Sequence, residues 1–281
     1  MLVVTSERSS SYAEATEALL TELERGGLSR GDVAVVTASE LTGQAGAGAR
    51  LAIALGSVAA QALADGDGKA AQIYALLPRS AAERLLGARR PGRQATAVYL
   101  DQPYPRQVEL LRLALPEKRN LAVLWGAASK AQAPALASAA LDRGLRLIGV
   151  QVERPEALYA TLQQVLSEAD MLLAVAEPTI YNSNSIQNIL LASFRARVPL
   201  IAFSPAYVKA GALLALYSTP AQIGAQTGGL ARAAIAGRPL PPPQYPSHFF
   251  LQVNQHVAHS LGLSLDEAAL LNKLREAEHA P

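Results

Sequence analysis

Two charged residues stand where apolar runs end in different halves of the chain: Arg79 follows the run at 72–76, and Glu177 follows MLLAVA. A guanidinium and a carboxylate placed in this way match the two ends of a zwitterion, each held by charge-assisted hydrogen bonds. The plainer reading is solvated surface, or pairing with each other. Gly56 and Ser57 open a helix directly after another apolar run. Unpaired backbone N–H groups there accept a carboxylate or other anion, although a tight turn with a serine cap explains the pair equally well. Tyr181, Asn182, Ser183 and Asn184 offer donors, acceptors and a ring within four residues, and such clusters also cap helices. Trp125, the single tryptophan, ends a run, where it serves either as a stacking platform or as core.

Covalent chemistry finds little support. The sequence contains no GxSxG, GxxxxGK[ST] or HExxH, and no carboxylate pair set against a histidine. With no cysteine, disulfides, thiolate metal sites and a cysteine nucleophile are ruled out. His256 and His259 have ligand spacing on a helix but lack a third partner nearby, so a surface role is expected. The glycine-rich 43–48 stretch precedes a strand rather than a helix and reads as a flexible loop. No metal or cofactor is expected. Net charge is +2 with scattered basic residues, Arg89 and Arg90 among the densest, so nucleic acid is not expected as a partner. No stretch reaches the roughly 18 apolar residues of a membrane span.

The elements that must position these groups follow from periodicity. Apolar runs of four to eight residues rich in Val, Ile, Leu and Ala alternate with helix-period segments, the pattern of βα units. Strands are predicted at 2–5, 33–37, 51–55, 72–76, 95–100, 121–126, 145–152 and 171–176. Helices are predicted at 11–25, capped by Ser10 or Ser11, and at 57–64, 106–115, 133–143 and 155–169. Further on, PLIAF and GALLALYS read as strands, followed by a helix ending at Gly237, a proline-rich connector, the strand HFFLQVN, two short helices and a low-contact tail, 276–281.

At 281 residues the chain exceeds what one ordinary core holds, which favours two lobes. Candidate crossings between them lie at 101–105, 204–212 and 239–247. Ligands of parallel sheets bind beyond the carboxyl ends of the strands. That rule selects Ser6, Tyr12, Gly56, Ser57, Arg79, Trp125, Glu177, Thr179, Tyr181, Asn182, Ser204 and Tyr207 as candidate ligand contacts, with no catalytic residue among them.

The stretch 93–126, RQATAVYLDQPYPRQVELLRLALPEKRNLAVLWG, resembles the ABC-transporter substrate-binding family that includes tryptophan/tyrosine-type binding proteins. Residues 107–116 match its QLELLRxLLP helix. The segments at 211–217 and 224–226 and the closing VNQHVAHSLGL resemble its later motifs. The chain departs from the family at Leu77, Pro78, Arg79 and Ser80, at Glu177, Pro178 and Thr179, and at Arg93 and Gln94, positions that fall on the pocket.

The resemblance implies a type I periplasmic-binding-protein fold: α/β, two lobes, each a mostly parallel sheet flanked by helices, with three hinge crossings. It divides the chain into 1–102 with 211–238, and 103–206 with 247–281. It further implies an extracytoplasmic solute-binding protein of an ABC-type importer, taking an amino acid or similar small organic solute. Its partners would be that small molecule and a membrane permease, with the protein itself a monomer in the periplasm once a leader is removed. A clamshell that reports ligand to a signalling partner is the alternative, and a cytoplasmic α/β enzyme a more distant one.

Overall fold

The computed structural model describes residues 1–41 and 48–279, so the 43–48 loop, Gly48 apart, lies outside the described residues. The chain forms two compact units, Met1–Asp101 with Ser218–Phe249 and Gln102–Tyr217 with Phe250–Pro281, and passes between them three times. Its first stretch gives β1 (Leu2–Thr5), α1 (Ser10–Glu24), β2 (Ala34–Thr37), β3 (Leu51–Leu55), α2 (Ser57–Asp65), β4 (Ala71–Leu77), α3 (Arg79–Gly87) and β5 (Ala95–Tyr99). The second gives α4 (Tyr104–Ala114), β6 (Asn120–Trp125), α5 (Ala133–Asp142), β7 (Arg146–Gln151), α6 (Leu158–Glu168), β8 (Met171–Leu173), α7 (Ile186–Arg195), β9 (Leu200–Ala202), α8 (Pro205–Ala210) and β10 (Leu214–Tyr217). Helix α9 (Pro220–Ile235) returns to the first unit, and β11 (Phe250–Val253), α10 (Gln255–Ser260) and α11 (Glu267–His279) complete the second.

The first sheet is parallel throughout, in the order β2-β1-β3-β4-β5. Alternation along each strand splits its side chains between two cores, as a period of two requires. Val3, Ile53, Ile73 and Val98 pack on one face with Ala15 and Leu19 of α1 and Ile223 of α9. Val4, Ala54, Tyr74 and Ala97 pack on the other with Ala59 and Leu63 of α2 and Leu85 of α3. The second sheet has the order β11-β10-β9-β8-β6-β7, parallel except for β11, which runs antiparallel to β10.

Several expectations change. The segment 211–238 is not one return to the first unit: Leu214 pairs with Ile201 and Ala215 with Ala202, so β10 belongs to the second sheet and the crossing falls after Tyr217. The reason is α8, a short crossover that carries the chain from β9 to a parallel neighbour, where a hinge was expected at 204–212. The connector at 239–247 also belongs to the first unit. Gln244 forms a parallel bridge with Val98, and Gln226 of α9 donates to Gln244 Oε1 and the Tyr245 carbonyl. Helix α3 was not anticipated, because RSAAERLLG buries only Ala82, Leu85 and Leu86. Ser9, rather than Ser10 or Ser11, caps α1. The tail is helical to His279, and Glu278 pairs with the buried Arg106.

The tightest packing in the first unit joins α1 to α9. A Cβ on Gly224 would overlap the Ala15 carbonyl, and one on Gly228 would lie 2.8 Å from the Leu19 oxygen. Backbone cannot yield as a flexible side chain does, so Gly224→Ala is expected to lower unfolding free energy by about 2–3 kcal/mol. Gly229, with nothing within 4 Å, is the control, since Ala there should be neutral or raise stability by about 0.5–1 kcal/mol. Urea midpoints of the two variants check both.

Candidate functional site

In each sheet the winding reverses beside the strand laid down first. In the first, β1 leads to β2 on one side, and β3 to β5 then add on the other. In the second, β6 leads to β7, and β8 to β10 add on the opposite side. The loops leaving the two adjacent strands therefore diverge, and a crevice opens at the carboxyl ends between β1 and β3 and between β6 and β8.

The first crevice brings together Ser6, Tyr12, Gly56 and Ser57. Ser6 Oγ donates to the Leu55 carbonyl at 3.3 Å and accepts from Ala59 N–H at 3.1 Å, so a residue from β1's end caps the helix that follows β3. Gly56 has φ +95°, and a Cβ there would overlap the Tyr12 hydroxyl and Ser6 Oγ. Ser57 and Val58, the first residues of α2, are exposed, with Val58 at 62%. The turn at Gly56 and Ser57 is tight and capped, and the cap comes from Ser6.

Arg79 lies on the same sheet edge, after a bulge at Leu76 (φ +56°) where the β4–β5 register shifts. Its side chain is engaged within the unit, donating to Glu83 at 2.6 Å and to the Tyr245 hydroxyl at 2.6 Å, with the guanidinium over the Tyr245 ring. Tyr245 packs edge-on against Tyr99, whose hydroxyl is pushed up to about 12 by burial. Asp101 accepts from Arg79 N–H at 2.5 Å and so caps α3. Burial pushes its carboxyl up from the ordinary value, against the Arg79 amide and guanidinium that pull it down.

In the second unit Trp125 is core: it is 4% exposed, and its indole crosses β7 at Gly149, where a Cβ would lie 2.7 Å from Nε1. Glu177, 1% exposed, occupies the second crevice. Its Oε2 accepts from Ala128 N–H (3.0 Å), Ser129 N–H (3.0 Å) and Ser129 Oγ (2.8 Å). Its Oε1 accepts from Thr179 Oγ1 at 2.8 Å and from Thr179 N–H at 3.4 Å. Gly126 passes so close that a Cβ would collide with the carboxylate. Glu177 thus ties the loop after β6 to the loop after β8, and neither a ligand amine nor Arg79 is needed to satisfy it.

Tyr181 and Tyr207 gather around Phe203, just beyond β9, in edge-to-face pairs at 6.4 and 5.1 Å. Tyr207 donates to the Tyr181 carbonyl at 3.2 Å. The Tyr181 hydroxyl is buried without a partner among the described residues, and burial pushes its pKa up. Asn182 shapes its own loop, donating to the Pro178 carbonyl and accepting from Asn184 N–H. Ser204 is half-buried at the start of α8 and makes no side-chain cap. His256 and His259 are exposed, and the described residues hold no metal-ligating cluster.

Sequence reasoning did not single out Phe203 or Tyr245, and took Asp101 only as part of a crossing. Phe203 follows β9 directly and Asp101 lies two residues beyond β5, so both were within reach of the strand-end rule. Tyr245 enters through the connector's pairing with β5, which no local pattern announces.

Two mostly parallel sheets flanked by helices, wound in the same order and joined by three passages of the chain, define the two-lobed type I periplasmic-binding-protein class. Solved structures share this fold. A ligand-free, open substrate binding protein with adhesive properties from Clostridium difficile aligns at TM-score 0.75 and 15% identity, over 94% of this chain and 95% of that one. An ABC domain in complex with L-Trp from Streptococcus pneumonia gives 0.68 and 20%, over 96% of each chain. A conserved domain protein from Vibrio cholerae gives 0.67 and 20%, also over 96% of each. The chain belongs to the ABC transporter substrate binding protein family, whose model matches residues 29–276. Its role in that family is to bind a solute. No curated protein matches it in sequence.

Removing the Glu177 carboxylate leaves buried donors on two loops unsatisfied, so Glu177→Ala is expected to destabilise by about 3 kcal/mol. Hydrogen exchange should rise at Ala128 and Ser129. Asp101 gives a pH signature of the opposite kind to a paired surface acid. Its raised folded pKa means that ionisation costs stability as pH climbs from the unfolded carboxyl range through the folded value. Asp101→Asn keeps an oxygen for Arg79 N–H. It is therefore expected to match or exceed wild-type stability near neutral pH, and to lose that advantage as pH falls through the folded value to about pH 4, as measured by thermal unfolding across pH.

Proposed function

We propose that the protein is the extracytoplasmic solute-binding component of an ABC-type importer, active as a monomer. It captures one small organic solute at the carboxyl edges of its two sheets, its lobes close on that solute, and the closed form is presented to a membrane permease. No bond is made or broken in this cycle. The observation that carries the reading is the same reversal of strand order in each sheet, which by the rule for parallel sheets places a crevice at the carboxyl ends of each.

The first crevice offers Ser6, Tyr12 and the exposed start of α2, which suit a carboxylate or a hydroxyl. The second offers the Tyr181, Phe203 and Tyr207 rings beside a carboxylate already saturated by its own loops. An amino acid or a similar small solute fits these surroundings. Structures similar to this chain hold L-Trp in one case and, in a protein from Burkholderia graminis at TM-score 0.51, D-arabinose in another. Closure requires that the solute touch both units, because a ligand shifts an equilibrium only by its difference in affinity for the two states. A micromolar dissociation constant needs about 8 kcal/mol, within reach of a few buried hydrogen bonds and a ring contact.

Native mass spectrometry of the freshly purified protein, followed by a thermal-shift panel of amino acids and sugars, tests the reading. A raised midpoint together with a smaller radius of gyration at saturation supports it. Absence of any binder, or unchanged dimensions with a bound solute, counts against it. Tyr181 sharpens the test. Removing an unpartnered buried hydroxyl should stabilise the ligand-free protein, so Tyr181→Phe is expected to gain about 1 kcal/mol while weakening affinity for the solute the panel identifies.

A further inference from the structure

At the amino edge of the first sheet, away from the strand ends described above, a cavity of about 420 Å³ opens between the turn before β5 and the connector leaving α9. Arg89, Arg93 and Gln94 line it, together with the apolar Ala95, Pro239 and Leu240, and no carboxylate does. Arg93 is 9% exposed. Its guanidinium donates to the carbonyls of Ala64 (3.0 Å), Gly66 (2.7 Å) and Gly68 (2.7 Å), where α2 ends. Arg89 donates to the Leu86 carbonyl of α3 at 2.6 Å. Two helix ends therefore fix the guanidiniums of two residues that line one cavity.

Carbonyl dipoles fix these groups and moderate their charge without neutralising it. A buried charge ordinarily finds a counter-charge, yet the buried Arg93 has no ion-pair partner among the described residues, nor has the exposed Arg89 beside it, while Arg90 takes Asp67. Arginine's planar fork suits an oxyanion, and one already anchored on carbonyls loses little further freedom on binding.

We propose that this cavity binds the phosphate group of a small phosphomonoester or of a glycerophospholipid headgroup. The anion supplies the counter-charge that Arg89 and Arg93 lack, and its glycerol-like portion meets Ala95, Pro239 and Leu240. The volume exceeds that of a bare phosphate and lies within the range of small-molecule pockets. The site is independent of the solute crevices, which lie at the opposite ends of the strands.

The test is titration of the full-length protein with glycerol 3-phosphate, followed by the backbone amide signals of Gly92, Arg93 and Gln94, with glycerol as the neutral control. Saturable shifts at these amides are expected in the millimolar range or tighter, weakening as sodium chloride is raised. Arg89→Gln, an exposed position, should weaken binding at least tenfold without moving the thermal midpoint. Sedimentation with phosphatidylglycerol vesicles, against phosphatidylcholine vesicles, distinguishes the two sources, since vesicle binding lost in Arg89→Gln assigns the site to the headgroup. No shift at tens of millimolar glycerol 3-phosphate together with no phosphatidylglycerol-dependent sedimentation overturns the proposal. So do shifts that persist unchanged in Arg89→Gln.

Discussion

A parallel sheet buried on both faces cannot return by hairpins, and each strand must be reached by a crossover over one face or the other. Once β2 has been laid on one side of β1 and β3 on the other, the loops leaving β1 and β3 are drawn apart. The second sheet repeats this at β6 and β8. The crevices are thus a consequence of winding order, and the residues that fill them adapt to an opening that already exists. Ser6 closes its side by capping a helix from the neighbouring strand, and Glu177 closes the other by gathering two loops onto one carboxylate.

The two edges manage their polar groups in opposite ways. Around β1 and β3 the side chains nearest the start of α2, Ser6 and Tyr12, are neutral, and Arg8 pairs with Glu40, so the edge keeps capacity for an incoming acceptor. Around β6 and β8 the corresponding amides of Ala128 and Ser129 are already taken by Glu177. What remains there is aromatic surface and the Tyr181 hydroxyl, which has no partner among the described residues. The first edge thus carries acceptor-seeking groups and the second rings, an asymmetry that the shared topology does not predict.

Much of the fold was legible because buried parallel strands are continuous apolar runs and the crossover helices are amphipathic. The predicted strands at 51–55 and 121–126 lie within a residue of β3 and β6. What the pattern cannot carry is sheet membership. GALLALYS reads as a strand in either unit, and only its register with β9 assigns it. The same limit applies to the site. The candidate positions were taken from the strand-end rule, whereas the partners of Arg79 and Glu177 depend on Tyr245, Ser129 and Thr179, brought close by turns without a periodic signal. Trp125 shows the reverse case, since a strand-end aromatic turned inward because Gly149 on the adjacent strand left room for it.

The α1–α9 contact also governs the order in which the molecule can be made. Glu14 and Ala221 meet across 207 residues of chain, and the face of α1 that carries Ala15 and Leu19 is completed only when Gly224 and Gly228 arrive. At roughly 5–20 residues per second, α1 leaves the ribosome on the order of 10–40 s before its partner helix exists. The second unit is nearly whole by then and lacks only β11 and the last two helices. The amino-terminal unit, first in sequence, is therefore held back to near the end of assembly, and the nascent chain must travel for most of its synthesis with an unfinished core.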